Sequence, residues 1–147
     1  SGMRVLAWSP NLTPQRCADA GVEGRDLDTL LGEADVVSLH LRLSETTRGL
    51  IGARELALMK PGAFLVNTAR GPLLDEAALI AALDEGQIAG AGLDVYETEP
   101  LPGNHPLRGR PDVLLSPHMG FTTREGFERH FTATVARLQD WLAGQGS

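Results

Sequence analysis

Cysteine is almost missing from this chain of 147 residues: Cys17 stands alone, which excludes a disulfide framework and a cysteine-built metal site. That usage suits a reducing, cytoplasmic setting. Lysine is equally scarce, Lys60 being the only one among 13 basic side chains. Acids outnumber bases by 19 to 13, and the resulting charge of −6 argues against nucleic acid or an anionic membrane surface as the main partner. No apolar run approaches the ~20 residues of a membrane span, and the N-terminus carries no secretory pattern. No two of the four histidines have metal-ligand spacing such as HExxH, so no metal is expected. What remains, 42% hydrophobic and 22% charged, is a globular composition of a size that fits one domain.

Apolar runs alternate with helical patterns along the whole chain. Val5–Trp8 is a short apolar run followed by turn chemistry at Ser9-Pro10-Asn11. Leu27–Gly32 reads as a short helix, Asp35–Leu41 as a buried strand, and Ala53–Met59 as a helix stopped by Pro61. Ala63–Asn67 is the next strand, after which Asp75 caps a helix over Glu76–Glu85 with an apolar stripe through Leu79 and Leu83. Ala89–Val95 and Val113–Leu115 are two further strands, separated by a Pro- and Gly-rich loop. The last helix is marked by Thr122 and Glu125 at capping-box spacing and by Phe127, Phe131, Val135, Leu138 and Leu142. Such a stripe is expected to pack into a core, as is His40 in its strand. The alternation predicts an α/β fold built on a doubly wound parallel sheet.

In such sheets ligands sit beyond the carboxyl ends of the strands. Three post-strand segments carry chemistry there: Asn67-Thr68-Ala69-Arg70-Gly71, the run Gly92 to Pro100 containing Asp94 and Glu99, and Ser116-Pro117-His118-Met119-Gly120. Each polar residue alone has a plainer reading, as a surface ion pair, a solvated acid or a structural histidine. Together, an arginine, a carboxylate and an imidazole suit reduction of a carbonyl beside a carboxylate. Arginine holds a carboxylate bidentately, histidine exchanges a proton near neutral pH, and a glutamate favours and orients the imidazolium. None of these carries electrons, so a nicotinamide cofactor is implied.

The strings NTARG, GLDVYETEP and SPHMG, in this order and spacing, closely resemble the nucleotide domain of the D-isomer-specific 2-hydroxyacid dehydrogenases. ADVVSLHLRLSETTRGLIG is similar to a further segment of that family, and the resemblance covers essentially the whole chain from Met3. It implies a Rossmann-like fold and hydride transfer between a nicotinamide cofactor and a small 2-hydroxy or 2-keto acid. By the same resemblance Arg70 binds the substrate carboxylate, Glu99 is the partner carboxylate, and His118 is the acid/base. Asp94 matches the aspartate that bonds the nicotinamide carboxamide. Leu41, Thr68, Ala69, His118 and Gly120 match positions lining the cofactor, and Ser9 stands where an acidic residue often meets the adenosine ribose.

Two departures shape the remaining expectations. The Gly-rich phosphate turn of a dinucleotide domain is not found in the chain, since Gly90-Ala91-Gly92 leads into a strand rather than opening a helix. The chain thus reads as a truncated domain over 1–147, opening after the family's first strand and turn, with the helix from about 122 directed towards a substrate domain. Loss of a central strand would leave two strand edges unpaired, so self-association, as a homodimer or through the exposed sheet, is expected. Ser9 in place of a carboxylate keeps NADP open, with NAD ahead. Arg42, where the family usually has proline, reads as solvated. A dinucleotide-sensing module of corepressor type and an inert fragment remain alternative readings.

Overall fold

The computed structural model describes residues 2–144. They form two compact units, one running to Pro117 and one beginning at His118.

The first unit opens with strand β1 (Leu6–Ala7), helix α1 (Pro14–Ala20) and strand β2 (Glu23–Gly24). It continues through α2 (Leu27–Glu33), β3 (Val36–Leu39), α3 (Ala53–Leu58), β4 (Phe64–Asn67), α4 (Glu76–Asp84), β5 (Gly90–Leu93) and β6 (Val113–Leu115). All strand pairs are parallel. β1 and β2 pair only with each other, whereas β3, β4, β5 and β6 form a second sheet in that order. Among the described residues, the division leaves β1 and β3 each with one edge that no strand covers. Ion pairs reach across it from Arg4 and Arg25 to Glu33 of α2, at 3.1 Å and 3.7 Å, while on the side of the smaller sheet the same two guanidinium groups meet Glu23, at 2.8 Å and 2.7 Å. Its hydrogen bond from Arg4 holds the Glu23 carboxyl down at about 2.

One face of the larger sheet is covered. Val37, Leu39, Leu65, Ala91 and Leu93 pack with Leu31 of α2, Leu56 of α3 and Leu79 and Leu83 of α4 in a single core. The alternate residues point the other way, and Val36, Phe64 and Leu114 stand 54%, 49% and 76% exposed. The strands are apolar on both faces, as a doubly wound sheet requires, but burial is one-sided. Asp75 caps α4 as expected, its side chain accepting the Ala78 N–H.

Two elements have no counterpart in the sequence reading. α1 follows Thr13, whose hydroxyl accepts the Arg16 N–H, carries Pro14 at its first position, and ends at Gly21 in the left-handed region. It buries only Cys17, so it has no apolar stripe to betray it. β2 is a Glu-Gly pair created by its partner strand. His40 is not packed: β3 ends at Leu39, and the exposed imidazole bonds the Ser38 hydroxyl through Nε2 at 2.9 Å.

The second unit carries α5 (Arg124–Gly144). Its cap is Thr123, which accepts the Gly126 N–H at 3.0 Å, while the Thr122 hydroxyl donates to the Met119 carbonyl at 2.6 Å. The capping box from Thr122 therefore does not form. No residue of α5 is buried, and Phe127 and Phe131 stack on each other in the open, with centroids 6.1 Å apart. Core packing of that stripe is thus not realised among the described residues.

Candidate functional site

Strands that stay in register end together. Leu39, Asn67 and Leu93 are successive partners across β3, β4 and β5, and Leu115 of β6 is the partner of Leu93. The residues that leave this row therefore form one rim. Leu41 lies just past β3, half-buried against the core. Thr68, Ala69 and Arg70 follow Asn67, and Asp94 follows Leu93.

Asn67 shapes the first rim loop. Its side chain is fully buried, and its oxygen accepts the Ala69 N–H at 3.1 Å while its amide donates to the Arg70 carbonyl at 3.0 Å. This bends the backbone immediately after the strand, exposing Thr68 and Arg70 and leaving Ala69 half-buried. The Arg70 guanidinium donates once to the Ala69 carbonyl, at 2.5 Å. Next comes a 3-10 turn, Gly71–Leu73.

Gly71 locks this loop to the next. A methyl group there would lie 1.9 Å from the Tyr96 carbonyl oxygen and 2.6 Å from the Glu97 nitrogen, so the glycine backbone lies directly against the Tyr96–Glu97 peptide. Asp94, 6% exposed, is tied to the same rim by its N–H, which donates to the Asn67 carbonyl at 3.0 Å. Beyond it Tyr96 is buried, and burial pushes its phenol above its ordinary value, so the hydroxyl stays a donor. It donates to the Ser116 carbonyl at 2.7 Å, with the Leu93 carbonyl at 3.1 Å, joining the ends of β5 and β6. The Glu99 carboxylate folds back to accept the Tyr96 N–H at 3.0 Å. Arg70, Asp94 and Glu99 thus stand on two interlocked loops of one unit.

Ser9 belongs to the smaller sheet. It follows β1 and lines an open cleft of about 760 Å³ with Trp8, Thr13, Cys17, Arg25 and Asp26. Arg16 is directed elsewhere, to the Asn11 carbonyl at 3.1 Å. Arg42 is exposed.

His118 and Gly120 belong to the second unit. His118 takes φ 55°, a left-handed backbone that few non-glycine residues adopt, and its ring meets Phe121 edge to face at 6.2 Å. Among the described residues no group of three or more His, Cys, Asp or Glu side chains could hold a metal ion, and no helix is long and apolar enough to cross a membrane.

Residues 1–120 match the family described as D-isomer specific 2-hydroxyacid dehydrogenase, NAD binding domain. A glyoxylate reductase from Aeropyrum pernix is 49% identical over 124 residues, covering 84% of this chain and 37% of that protein. The NAD-complexed D-isomer specific 2-hydroxyacid dehydrogenase from Lactobacillus delbrueckii ssp. bulgaricus superposes with a TM-score of 0.82 at 33% identity, over 97% of this chain and 47% of its own. A further such dehydrogenase, from Xanthobacter autotrophicus Py2 in complex with NADPH and MES, gives 0.73 at 43% identity, over 80% of this chain and 37% of its own. The chain therefore spans less than half the length of these relatives.

Proposed function

The chain belongs to the D-isomer-specific 2-hydroxyacid dehydrogenases, through their NAD-binding domain, and from that premise we propose that it serves an oxidoreductase acting between D-2-hydroxy acids and 2-keto acids. The observation that carries this reading is the rim itself: Arg70, Asp94 and Glu99 leave one in-register row of strand ends on loops that grip each other. Arg70 holds the substrate carboxylate and draws charge from the neighbouring carbonyl. His118 supplies a proton to the carbonyl oxygen and withdraws it in the reverse direction. Glu99 is the carboxylate that favours and orients the imidazolium.

The cofactor's residues fit in kind. Asp94 is a nearly buried acceptor, the chemistry a carboxamide N–H requires, and Leu41 and Ala69 offer partly buried apolar surface on the same rim. Thr68, His118 and Gly120 complete the lining, with Ser9 on the adenosine side. When bound, the nicotinamide supplies the hydride. NAD is the first choice. Ser9 brings no carboxylate to repel a 2′-phosphate, so NADP is the alternative.

Fluorescence titration of the chain with NADH and, separately, NADPH tests this reading. Saturable binding of either is the expected result, and the tighter nucleotide settles the choice. No binding up to millimolar concentration would remove the cofactor assignment from this chain.

The uncovered edges of β1 and β3 support a second part of the reading, self-association of the chain as a homodimer or through its exposed sheet. Light scattering is expected to give a mass above that of one chain, and a monodisperse monomer overturns it. The single buried cysteine supports a cytoplasmic location, and the acidic charge supports a small-molecule partner rather than nucleic acid or membrane.

A further inference from the structure

One buried acid has no part in the chemistry above. Glu76 is the first residue of α4 and only 8% exposed. An acid there ordinarily serves its own helix, capping free N–H groups or offsetting the helix dipole. In α4 Asp75 already caps, and the Glu76 carboxylate is turned to a different part of the chain. Its Oε1 accepts the Glu97 N–H at 2.6 Å, and its Oε2 lies 3.3 Å from Nε2 of His105. Leu107 donates its N–H to Nδ1 of the same ring at 3.4 Å, which leaves the ring hydrogen on Nε2, facing the carboxylate. A carboxylate withdrawn from water needs both oxygens partnered. Here the partners are the outgoing and the returning leg of one loop.

We propose that Glu76 is a positioning residue for Glu99. The peptide it holds, Tyr96–Glu97, is the one against which Gly71 lies. With its C-terminal peptide gripped by Glu76 and its hydroxyl fixed on Ser116, Tyr96 presents its own N–H in one direction, and that N–H binds the Glu99 carboxylate. Glu76 thus sets where Glu99 stands without reaching the rim itself. The inference takes the role of Glu99 from the proposed function, but its test reads placement rather than turnover.

Amide hydrogen exchange, followed by NMR on the whole 147-residue chain, provides that test. In Glu76→Ala the Tyr96 and Glu97 amides are expected to exchange at least tenfold faster, while those of Leu79 and Ala91, in α4 and β5, keep their rates. The Glu99 side-chain carboxyl resonance is expected to move with them. Glu76→Gln, which retains an oxygen for the Glu97 N–H, is expected to restore protection to within about threefold. Glu76→Asp keeps the charge but shortens the reach, and it should repeat the alanine pattern if the alanine variant does not fold. Unchanged Tyr96 and Glu97 exchange in a folded Glu76→Ala or Glu76→Asp protein overturns the proposal. Acceleration spread evenly to Leu79 and Ala91 also overturns it, as the mark of general destabilisation. A Glu99 shown to be dispensable for turnover would leave these rates untouched, so the two failures are distinct.

Discussion

Gly71→Ala is expected to lower the melting temperature by about 10 °C, or to leave too little folded protein to melt. The added methyl would lie 1.9 Å from the Tyr96 carbonyl oxygen and 2.0 Å from its carbon, far inside contact distance. Relief requires a backbone to move, since no flexible side-chain end is in the way. Overpacking costs about 1–3 kcal/mol where side chains can adjust, and a backbone–backbone clash belongs at or above the top of that range. For a domain of this size about 3 kcal/mol converts to roughly 10 °C. Gly62→Ala is the control, because nothing lies within 4 Å of a methyl group there. Thermal melts of the two variants check the expectation, and equal midpoints would mean that the two rim loops are not interlocked.

The second large effect is on turnover. Under the activity and acid/base role proposed above, His118→Ala is expected to reduce kcat by roughly 10²–10⁴-fold, the usual contribution of a positioned acid/base. NADH affinity should fall far less than kcat, because the other proposed lining residues remain. Arg70→Ala should instead raise KM for the keto acid as well, since it removes the proposed bidentate partner of the substrate carboxylate. A glycine at 118 separates chemistry from backbone cost. At φ 55° an L side chain is disfavoured by about 1–2 kcal/mol, so His118→Gly should lose the same turnover while melting no lower than the alanine variant. Steady-state kinetics with melting curves decide the matter, and an unaltered kcat in His118→Ala would end the acid/base role.

Where the chain writes its structure locally, the sequence could be read. Asp75 announces α4 through its cap and Leu79 and Leu83 through their spacing, while Val113–Leu115 is a strand between a Pro-rich loop and Ser116-Pro117. The fold-level rule that ligands lie past strand ends pointed to the loops of Arg70, Asp94 and Glu99, and the register of β3 to β6 is why those loops leave the sheet from one row. Other features depend on partners distant in the chain. β2 has no apolar pattern and exists because β1 pairs with it. α1 buries one side chain, so only its end signals, Thr13, Pro14 and Gly21, could have disclosed it. Thr122 and Thr123 both offer a capping hydroxyl, and the choice between them falls to Met119, whose carbonyl takes the first. Glu76 was legible only as an acid at a helix start. Its reach to Glu97 and His105 spans 21 and 29 positions of chain and leaves no periodic trace.

The division of the sheet bears on how the molecule comes apart. With no strand bond between β1 and β3 among the described residues, β1, α1 and β2 meet α2 through charges at the exposed Arg4 and the half-buried Arg25 and Glu33 rather than through a backbone ladder. Exposed charge pairs are weak and are screened by salt. The amides of the β1–α1–β2 segment are therefore expected to exchange faster than those of the four-stranded core, and native-state hydrogen exchange checks it. It is the segment that holds Ser9 and the cleft beside it. A nucleotide seated there would act as a tether, spending part of its binding energy on holding closed a segment that otherwise opens more readily.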